Sequence, residues 1–381
     1  MENGSNMNKP LRKTKAILID IIHPRITKQQ SLDRLEELED LVETYGGIVV
    51  VKTHQRRFRP HTKTFIGPGK VQDILREGQE LGVTLVIVNN ILKSRQIYEL
   101  QEILRGAKID VWDRVDLILK IFAKHARTTE ARLEIELASI RHMGPRIFGM
   151  GMELSRQAGG IGTVGIGEQN TQIMKRHLQT QELKIKEKLT RYTNVRANHR
   201  LHRKRQQFKT VSLVGYTNAG KTSLLNALTG SQEYVANKLF ATLDTRVSQL
   251  FLANTQKKVL LSDTIGFIQN LPPELIHAFE STLSEAMDSD LLLHVIDSQD
   301  TKWIPKIEVV EKILEQLGLD LKPRILVFNK IDGLGKKDLK NFQKVSIKKD
   351  DHDWPKVFVS ATHGNGLEAL KEMIEQTLFP Q

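Results

Sequence analysis

Residues 210–222 read Thr-Val-Ser-Leu-Val-Gly215-Tyr216-Thr217-Asn218-Ala219-Gly220-Lys221-Thr222. Thr210–Val214 is a short apolar run and reads as a strand. The next eight residues complete the pattern G-x-x-x-x-G-K-[ST], and Ser223–Leu228 continues as a helix. In that context the glycines let backbone N–H groups wrap phosphate oxygens, Lys221 meets the β/γ oxygens, and Thr222 can ligate Mg²⁺. The bare pattern arises by chance in roughly one chain in a hundred of this length, and the strand and helix around it make chance a poor account. Such a loop sits at the carboxyl edge of a parallel sheet, so a doubly wound α/β domain is expected around it. Gly215 through Ser223 are the first expected nucleotide-binding residues.

Four further elements follow in the order a guanine-nucleotide switch needs. Thr242, in Phe240-Ala241-Thr242-Leu-Asp-Thr245, lies where a first switch threonine reaches Mg²⁺. Asp263-Thr264-Ile265-Gly266 ends the apolar run Val259–Ser262; its carboxylate can hold the Mg²⁺ shell, directly or through water, and the Gly266 N–H can bond a γ-phosphate. Asn329-Lys330-Ile331-Asp332 follows Ile325–Phe328, and an Asp there accepts both N1–H and N2–H of guanine, a pairing adenine does not offer. Ser360-Ala361-Thr362 follows Val357–Val359 and can present a backbone N–H to guanine O6. Each of the four alone is a common turn sequence; all five in order, each near a strand end, imply GTP and GDP as ligands and a GTP-hydrolysing switch. The expected catalytic set is Lys221, Thr242 and Gly266, and the expected Mg²⁺ ligands are Thr222, Thr242 and Asp263. Phe267 stands where Ras-like switches carry a water-orienting glutamine, so slow intrinsic hydrolysis is predicted.

Toward the N-terminus the pattern alternates. Residues 1–14 are polar; Ala16–Ile22 reads as a buried strand; Ser31 is placed to cap a helix carrying Leu32, Leu35, Leu38 and Leu41; Ile48–Lys52 is a second strand. Helices near Lys70–Leu81 and Ser94–Arg105 alternate with strands Thr84–Val88 and Ile109–Trp112, which predicts a parallel sheet covered on both faces. Between the second strand and the next helix, Gln55–Lys70 is basic and ends in Gly67-Pro68-Gly69-Lys70, a turn that either binds an anion at a helix N-terminus or is an ordinary cap.

Residues 114–208 read mainly as helix. One apolar stripe holds Leu133, Leu137 and Ile140, another Met174, Leu178, Ile185, Leu189 and Tyr192, which predicts an antiparallel helical hairpin. Five glycines crowd into 159–167, and this glycine-rich stretch is expected to form a loop over 155–168 rather than helix.

The 381 residues include 57 Lys and Arg against 45 Asp and Glu, a net charge of +12. The excess is uneven: +6 over residues 1–150, +9 over 151–210, and −3 over 211–381. A basic stretch such as Arg196–Arg205 suits a phosphate polyanion or, equally, a solvated helix face. Arg156, Gln157, Gly159, Gly160, Arg196, Arg200, Arg203, Lys204 and Arg205 are the candidate RNA-facing residues. The chain has no cysteine, which excludes a disulfide framework, a thiolate zinc site and a thiol nucleophile. The twelve histidines suggest no metal-ligand spacing. No run of 18 apolar residues exists, and Ala16–Ile22 with its Asp20 is a strand rather than a signal peptide, so no membrane insertion and a cytoplasmic location are expected.

Taken together, Arg56–Lys70 with Phe65-Ile-Gly-Pro-Gly-Lys70, Asp113-Arg114 with Leu117–Phe122, Arg132–Leu137, Arg156–Thr163, Phe240–Thr245 and Asp263–Phe267 resemble the HflX family of translation-factor-class GTPases over essentially the full chain. The resemblance implies an N-terminal α/β domain (15–125), a helical hairpin with a glycine-rich loop (126–208) and a GTPase domain (209–381). It further implies binding to the large ribosomal subunit and its rRNA, splitting or rescue of stalled ribosomes under stress, and, in some members, ATP binding through the N-terminal domain with RNA remodelling. A monomer is expected. Asn218 is similar to the asparagine of potassium-stimulated GTPases, which implies K⁺ as a second cation. The loop departs from the family pattern at Val164, Ile166 and Glu168–Ile173, where an arginine, a proline and a Glu-Thr-Gln-Leu-Glu-like stretch are usual. Two other readings stay open: an RNA-remodelling enzyme with a second nucleotide site near Gly67–Lys70, and a non-ribosomal signalling switch whose basic arm binds a protein or an acidic surface.

Overall fold

A computed structural model describes residues 14–157, 164–206, 208–232, 235, 239–240, 246–269, 275, 280–335, 348–349 and 352–380. The chain divides into two compact units, Met1–Lys124 with Ser139–Leu183, and His125–Ala138 with Lys184–Gln381.

The first unit carries a four-stranded parallel sheet in the order β2-β1-β3-β4, formed by β1 (Lys15–Ile22), β2 (Ile48–Arg56), β3 (Leu85–Val88) and β4 (Asp110–Asp113). Three helices connect the strands: α1 (Lys28–Tyr45), α2 (Pro68–Leu81) and α3 (Ser94–Arg105). The expected parallel α/β sheet is therefore present, with Ile17, Ile19, Val86 and Val88 buried in its core. The start of α1 differs from the expectation. Thr27, not Ser31, caps it: the Thr27 hydroxyl accepts from Gln30 N–H, and the Gln30 side chain accepts from Thr27 N–H. A reciprocal T-x-x-Q box satisfies two orphan N–H groups at once, so it prevails over the lone serine, which lies buried inside the helix. Leu35, Leu38 and Leu41 face the core, whereas Leu32 is exposed.

At the turn before α2, Gly67 N–H donates to Gln55 Oε1 at 2.8 Å, and Pro68 occupies the first helical turn without an N–H to give. Two donors that an anion could use there are thus spent or absent.

α4 (Arg114–His125) follows β4 directly, and α5 (Thr129–Gln157) and α6 (Val164–Arg205) form the long helical region. The pairs Arg196–Glu130 at 2.9 Å in one unit and Arg141–Glu182 at 3.1 Å in the other fit the predicted antiparallel pairing. Leu133, Leu137 and Ile185 are buried, but Met174 is exposed, so the second stripe begins later than its spacing suggests. α6 also begins at Val164, so Gly165 and Gly167 are helical, against the expectation of a loop to residue 168. Glycine costs a helix about 1 kcal/mol, and a 42-residue helix absorbs two such positions at its end. Gly159 and Gly160 lie outside the described residues.

The second unit holds a six-stranded sheet in the order β12-β9-β8-β5-β7-β6. Its strands are β5 (Lys209–Gly215), β6 (Arg246–Leu252), β7 (Lys257–Asp263), β8 (Leu291–Asp297), β9 (Arg324–Asn329) and β12 (Lys356–Phe358), with a two-residue ribbon, β10 (Lys348–Lys349) and β11 (His352–Asp353), apart. Within the six-stranded sheet all neighbours run parallel except β6 against β7. Four helices are described here: α7 (Lys221–Thr229), α8 (Glu280–Asp288), α9 (Trp303–Gln316) and α10 (Leu367–Leu378). Because β7 and β8 flank β5 on opposite sides, the chain reverses its winding at β5, where an open α/β sheet binds its ligand. Among the described residues, no helix is long and apolar enough to cross a membrane.

Candidate functional site

The phosphate loop leaves β5 at Gly215, whose φ of 150° and close approach to Val295 O (2.3 Å from where a Cβ would stand) admit no other residue. The loop turns through Asn218 at φ 63° and Gly220 at φ 88°, then enters α7 at Lys221. A Cβ on Gly220 would fall 2.3 Å from Asn329 Nδ2, so the first phosphate-loop glycine marks the turn and the second makes room for the guanine-side loop.

Lys221 is fully enclosed. Its ammonium donates to Gly215 O at 3.2 Å and Tyr216 O at 3.0 Å, folding back over the loop that it would share with phosphate. Burial pushes it down to about 8, and the nearby Asp263 carboxylate only partly opposes that. Thr222 follows, with Oγ1 donating to Asp263 Oδ2 at 2.6 Å. A hydroxyl and a carboxylate brought together in this way are hard oxygen donors of the type Mg²⁺ takes, so the residues present fit that ion.

Asp263 is buried at the end of β7, and Thr264 beside it donates to Leu213 O at 2.6 Å. Ile265 is buried, and Gly266 lies against the phosphate loop: a Cβ there would come within 2.7 Å of Thr217 Cα and 3.0 Å of Lys221 Nζ. Phe267 is fully buried, and its backbone pairs with the loop through Thr217 N–H to Phe267 O (2.8 Å) and Phe267 N–H to Gly215 O (3.1 Å). Its ring serves the core, and nothing in it can orient water. Tyr216 OH accepts from Gln269 N–H at 2.8 Å, a further tie between the two loops that the motifs did not announce.

On the guanine side, Asn329 Nδ2 donates to Ala219 O at 3.0 Å while its Oδ1 accepts from Ala361 N–H at 3.1 Å. One buried amide thus joins the phosphate loop, the β9 end and the Ser360–Thr362 turn. Ser360 Oγ donates to Asp332 Oδ1 at 2.6 Å and holds that carboxyl below the usual carboxylate range. Thr362 Oγ1 lies 3.1 Å from Ser360 Oγ. Asp332 is exposed, and its other oxygen lies 3.8 Å from His363 Nδ1.

The structure therefore brings together Gly215–Ser223, Asp263–Gly266, Asn329, Lys330, Asp332 and Ser360–Thr362 at one sheet edge. Phe240 is buried with φ 56°, but Ala241 and Thr242 lie outside the described residues. Of the candidate RNA-facing residues, Arg156 and Gln157 end α5 and Arg200 and Lys204 lie on α6, with their side chains outside the described set. Arg205 is exposed. Two arginines differ from the expectation: Arg196 pairs with Glu130, and Arg203 makes a two-pronged contact with Glu285 at 3.1 and 3.3 Å. These ion pairs are within the protein, and each leaves its arginine partly exposed.

A second polar cluster lies in the first unit. Buried Asp113 and Asp116 receive Arg146, which reaches Asp116 at 2.7 Å and also contacts Asp113, and His142 stands 3.2 and 3.4 Å from the two carboxylates. The histidine spacing gave no hint of this, since the partners are 26 to 33 residues apart. Three of its members have the geometry of metal ligands, but the Arg146 cation already neutralises the carboxylates.

Comparison with known proteins agrees with this geometry. Residues 32–123 match the family described as GTP-binding GTPase N-terminal, 125–203 the GTP-binding GTPase middle region, and 210–330 the family described as 50S ribosome-binding GTPase. GTPase HflX of Caldanaerobacter subterraneus is 42% identical over 97% of this chain and 82% of its own. GTPase HflX of Escherichia coli is 37% identical over 94% and 82%. Its counterpart in Methanocaldococcus jannaschii is 37% identical over 93% and 85%. A solved structure described as SsGBP in complex with GDP superposes with a TM-score of 0.53 at 27% identity, covering 95% of this chain and 98% of that one. With a phosphate loop, an acidic strand end and a guanine-side loop assembled on one sheet edge, and with relatives alike along nearly the whole chain, the protein belongs to the HflX family of GTPases.

Proposed function

We propose that this GTPase acts on the large ribosomal subunit, binding its rRNA in the GTP state and dissociating or rescuing stalled ribosomes under stress. The observation that carries the reading is the match of residues 210–330 to the 50S ribosome-binding GTPase family, joined in one chain to a +9 segment at 151–210. In the reaction, water attacks the γ-phosphorus, the bond to the β–γ bridging oxygen breaks, and GDP and phosphate leave. Lys221 supplies positive charge to the β/γ oxygens, the Gly266 N–H bonds the γ-phosphate, and Asp332 with the Ala361 N–H reads guanine. Thr222 and Asp263 would hold Mg²⁺ together with Thr242, and the ion when bound would neutralise charge on the phosphate oxygens. With Phe267 buried in the core, no side chain at that position orders the attacking water, so turnover is slow until the ribosome supplies the missing order.

The test is co-sedimentation of the full-length protein with large subunits. Binding with a non-hydrolysable GTP analogue and release with GDP is the expected result; equal sedimentation in both states rejects the switch, and none in either rejects the partner. Asn218, exposed at φ 63° in the phosphate loop, supports K⁺ as an accessory cation, so GTPase rates are expected to be several-fold higher in K⁺ than in Na⁺. Equal rates in the two salts would remove that role. The protein functions in the cytoplasm as a monomer under this reading.

A further inference from the structure

Asp297, Ser298 and Gln299 end β8 and enter the next turn. They belong to none of the five nucleotide motifs, yet each grips the loop that begins at Asn329. Ser298 N–H donates to Asn329 O at 3.0 Å, and the buried Ser298 hydroxyl donates to the same oxygen at 2.5 Å. Gln299 Nε2 donates to Lys330 O at 2.9 Å, and a Cβ on Gly333 would strike the same amide at 2.1 Å. Asp297 takes the Lys330 ammonium on Oδ2 at 2.6 Å, while its Oδ1 is fixed by Gln299 N–H at 3.0 Å.

Lys330 is unusual in its backbone. It sits at φ 64°, a left-handed conformation that a long side chain rarely adopts unless its surroundings hold it. Its ammonium also donates to Asn218 O at 2.9 Å, and Asn218 is itself left-handed at φ 63°. Lys330 is thus anchored at its backbone beside Asp332 and at its head on the phosphate loop. Its methylene stem spans the gap between the loop that meets phosphate and the loop that meets the base. A neutral carbonyl alone is a weak anchor for an ammonium; a carboxylate pre-oriented by its own hydrogen bond is roughly twice as strong.

We propose that Asp297 is a positioning residue for guanine-nucleotide binding: it locks the Lys330 ammonium against Asn218, so that the Lys330 stem forms a preformed platform for the purine ring. The inference rests on reading Asn329–Asp332 as the base-binding loop. A platform fixed before the ligand arrives removes an ordering cost from each binding event, without touching the reacting phosphate.

The experiment titrates fluorescent GDP and GTP analogues into the full-length protein carrying Asp297→Asn, Lys330→Ala or both, and measures GTP turnover. Asp297→Asn is expected to raise the Kd for GTP and GDP together by about tenfold while kcat at saturating GTP stays within about twofold, the signature of lost uniform binding. The preference for GTP over ITP is expected to stay unchanged, because the ring face and not its exocyclic edge is affected. The double variant is expected to bind no more weakly than Lys330→Ala. An unchanged Kd in Asp297→Asn, a loss that adds in full to that of Lys330→Ala, or a kcat that falls with affinity intact overturns the inference. If Lys330→Ala itself leaves GTP affinity intact, the reading of the base-binding loop fails and takes the inference with it; affinity lost in Lys330→Ala but kept in Asp297→Asn overturns the inference alone.

Discussion

Lys221 is buried and carries a free-state pKa near 8, so its charge depends on pH within the ordinary experimental range. Phosphate favours the ammonium and raises that pKa on binding. Above pH 8 the free protein must therefore take up a proton to bind, and below pH 8 it need not. GDP affinity is expected to be flat up to pH 8 and to fall, up to about tenfold per pH unit, above it. Calorimetry in two buffers of different ionisation enthalpy checks this: proton uptake should appear at pH 9 and vanish at pH 7. At this scale the site was largely legible, because a phosphate loop needs glycine and lysine at fixed spacing whatever the surroundings. The ties of Tyr216 to Gln269 and of Asp297 to Lys330 were not legible, since each joins residues 33 or more positions apart by folding alone.

Between elements, the cluster on β4, α4 and α5 shows what strand and helix patterns miss. Asp113, Asp116, His142 and Arg146 each read as ordinary polar residues on predicted helices or strand ends, and only the packing of α5 on the first unit gathers them. Burial by itself would lower the His142 pKa, but its hydrogen bonds to Asp113 and Asp116 hold it up to about 9. Burial would likewise raise Asp116, yet His142 and Arg146 hold it down to about 2. The histidine contribution is complete below pH 6.5 and is lost as pH rises through 9; the aspartate contribution is complete above pH 3.8 and is lost as pH falls through 2. Both are fully present between pH 3.8 and 6.5, and urea unfolding should show stability declining above that window in the native protein but not in His142→Gln. Arg146→Ala removes one of the two cations, with His142, that face the buried Asp113 and Asp116 carboxylates and is expected to cost about 3–5 kcal/mol in the same measurement. The helix starts follow a similar logic: the Thr27–Gln30 box was present in the sequence, but the leucine spacing pointed to Ser31, four residues beyond Thr27.

For the whole molecule, the alternation of strands and helices was enough to fix two parallel α/β sheets, and the antiparallel edge strand β6 was the part it did not announce. Charge partition adds a prediction at this scale. The unit of sequence bearing the nucleotide motifs is net −3, whereas the preceding residues carry the whole positive excess. Raising salt from about 50 to 200 mM is therefore expected to weaken large-subunit binding by at least tenfold while changing GDP affinity much less. Parallel salt slopes for the two ligands would argue against an electrostatic arm. The arm has a mechanical side as well. α6 runs unbroken for 42 residues, about 63 Å at helical rise. Near its Arg205 end, Arg203 is pinned to Glu285 on α8, the first described helix beyond the Asp263–Gly266 turn. A rod of that length is a lever: each degree of tilt at the Glu285 pivot carries its Val164 end through about 1 Å.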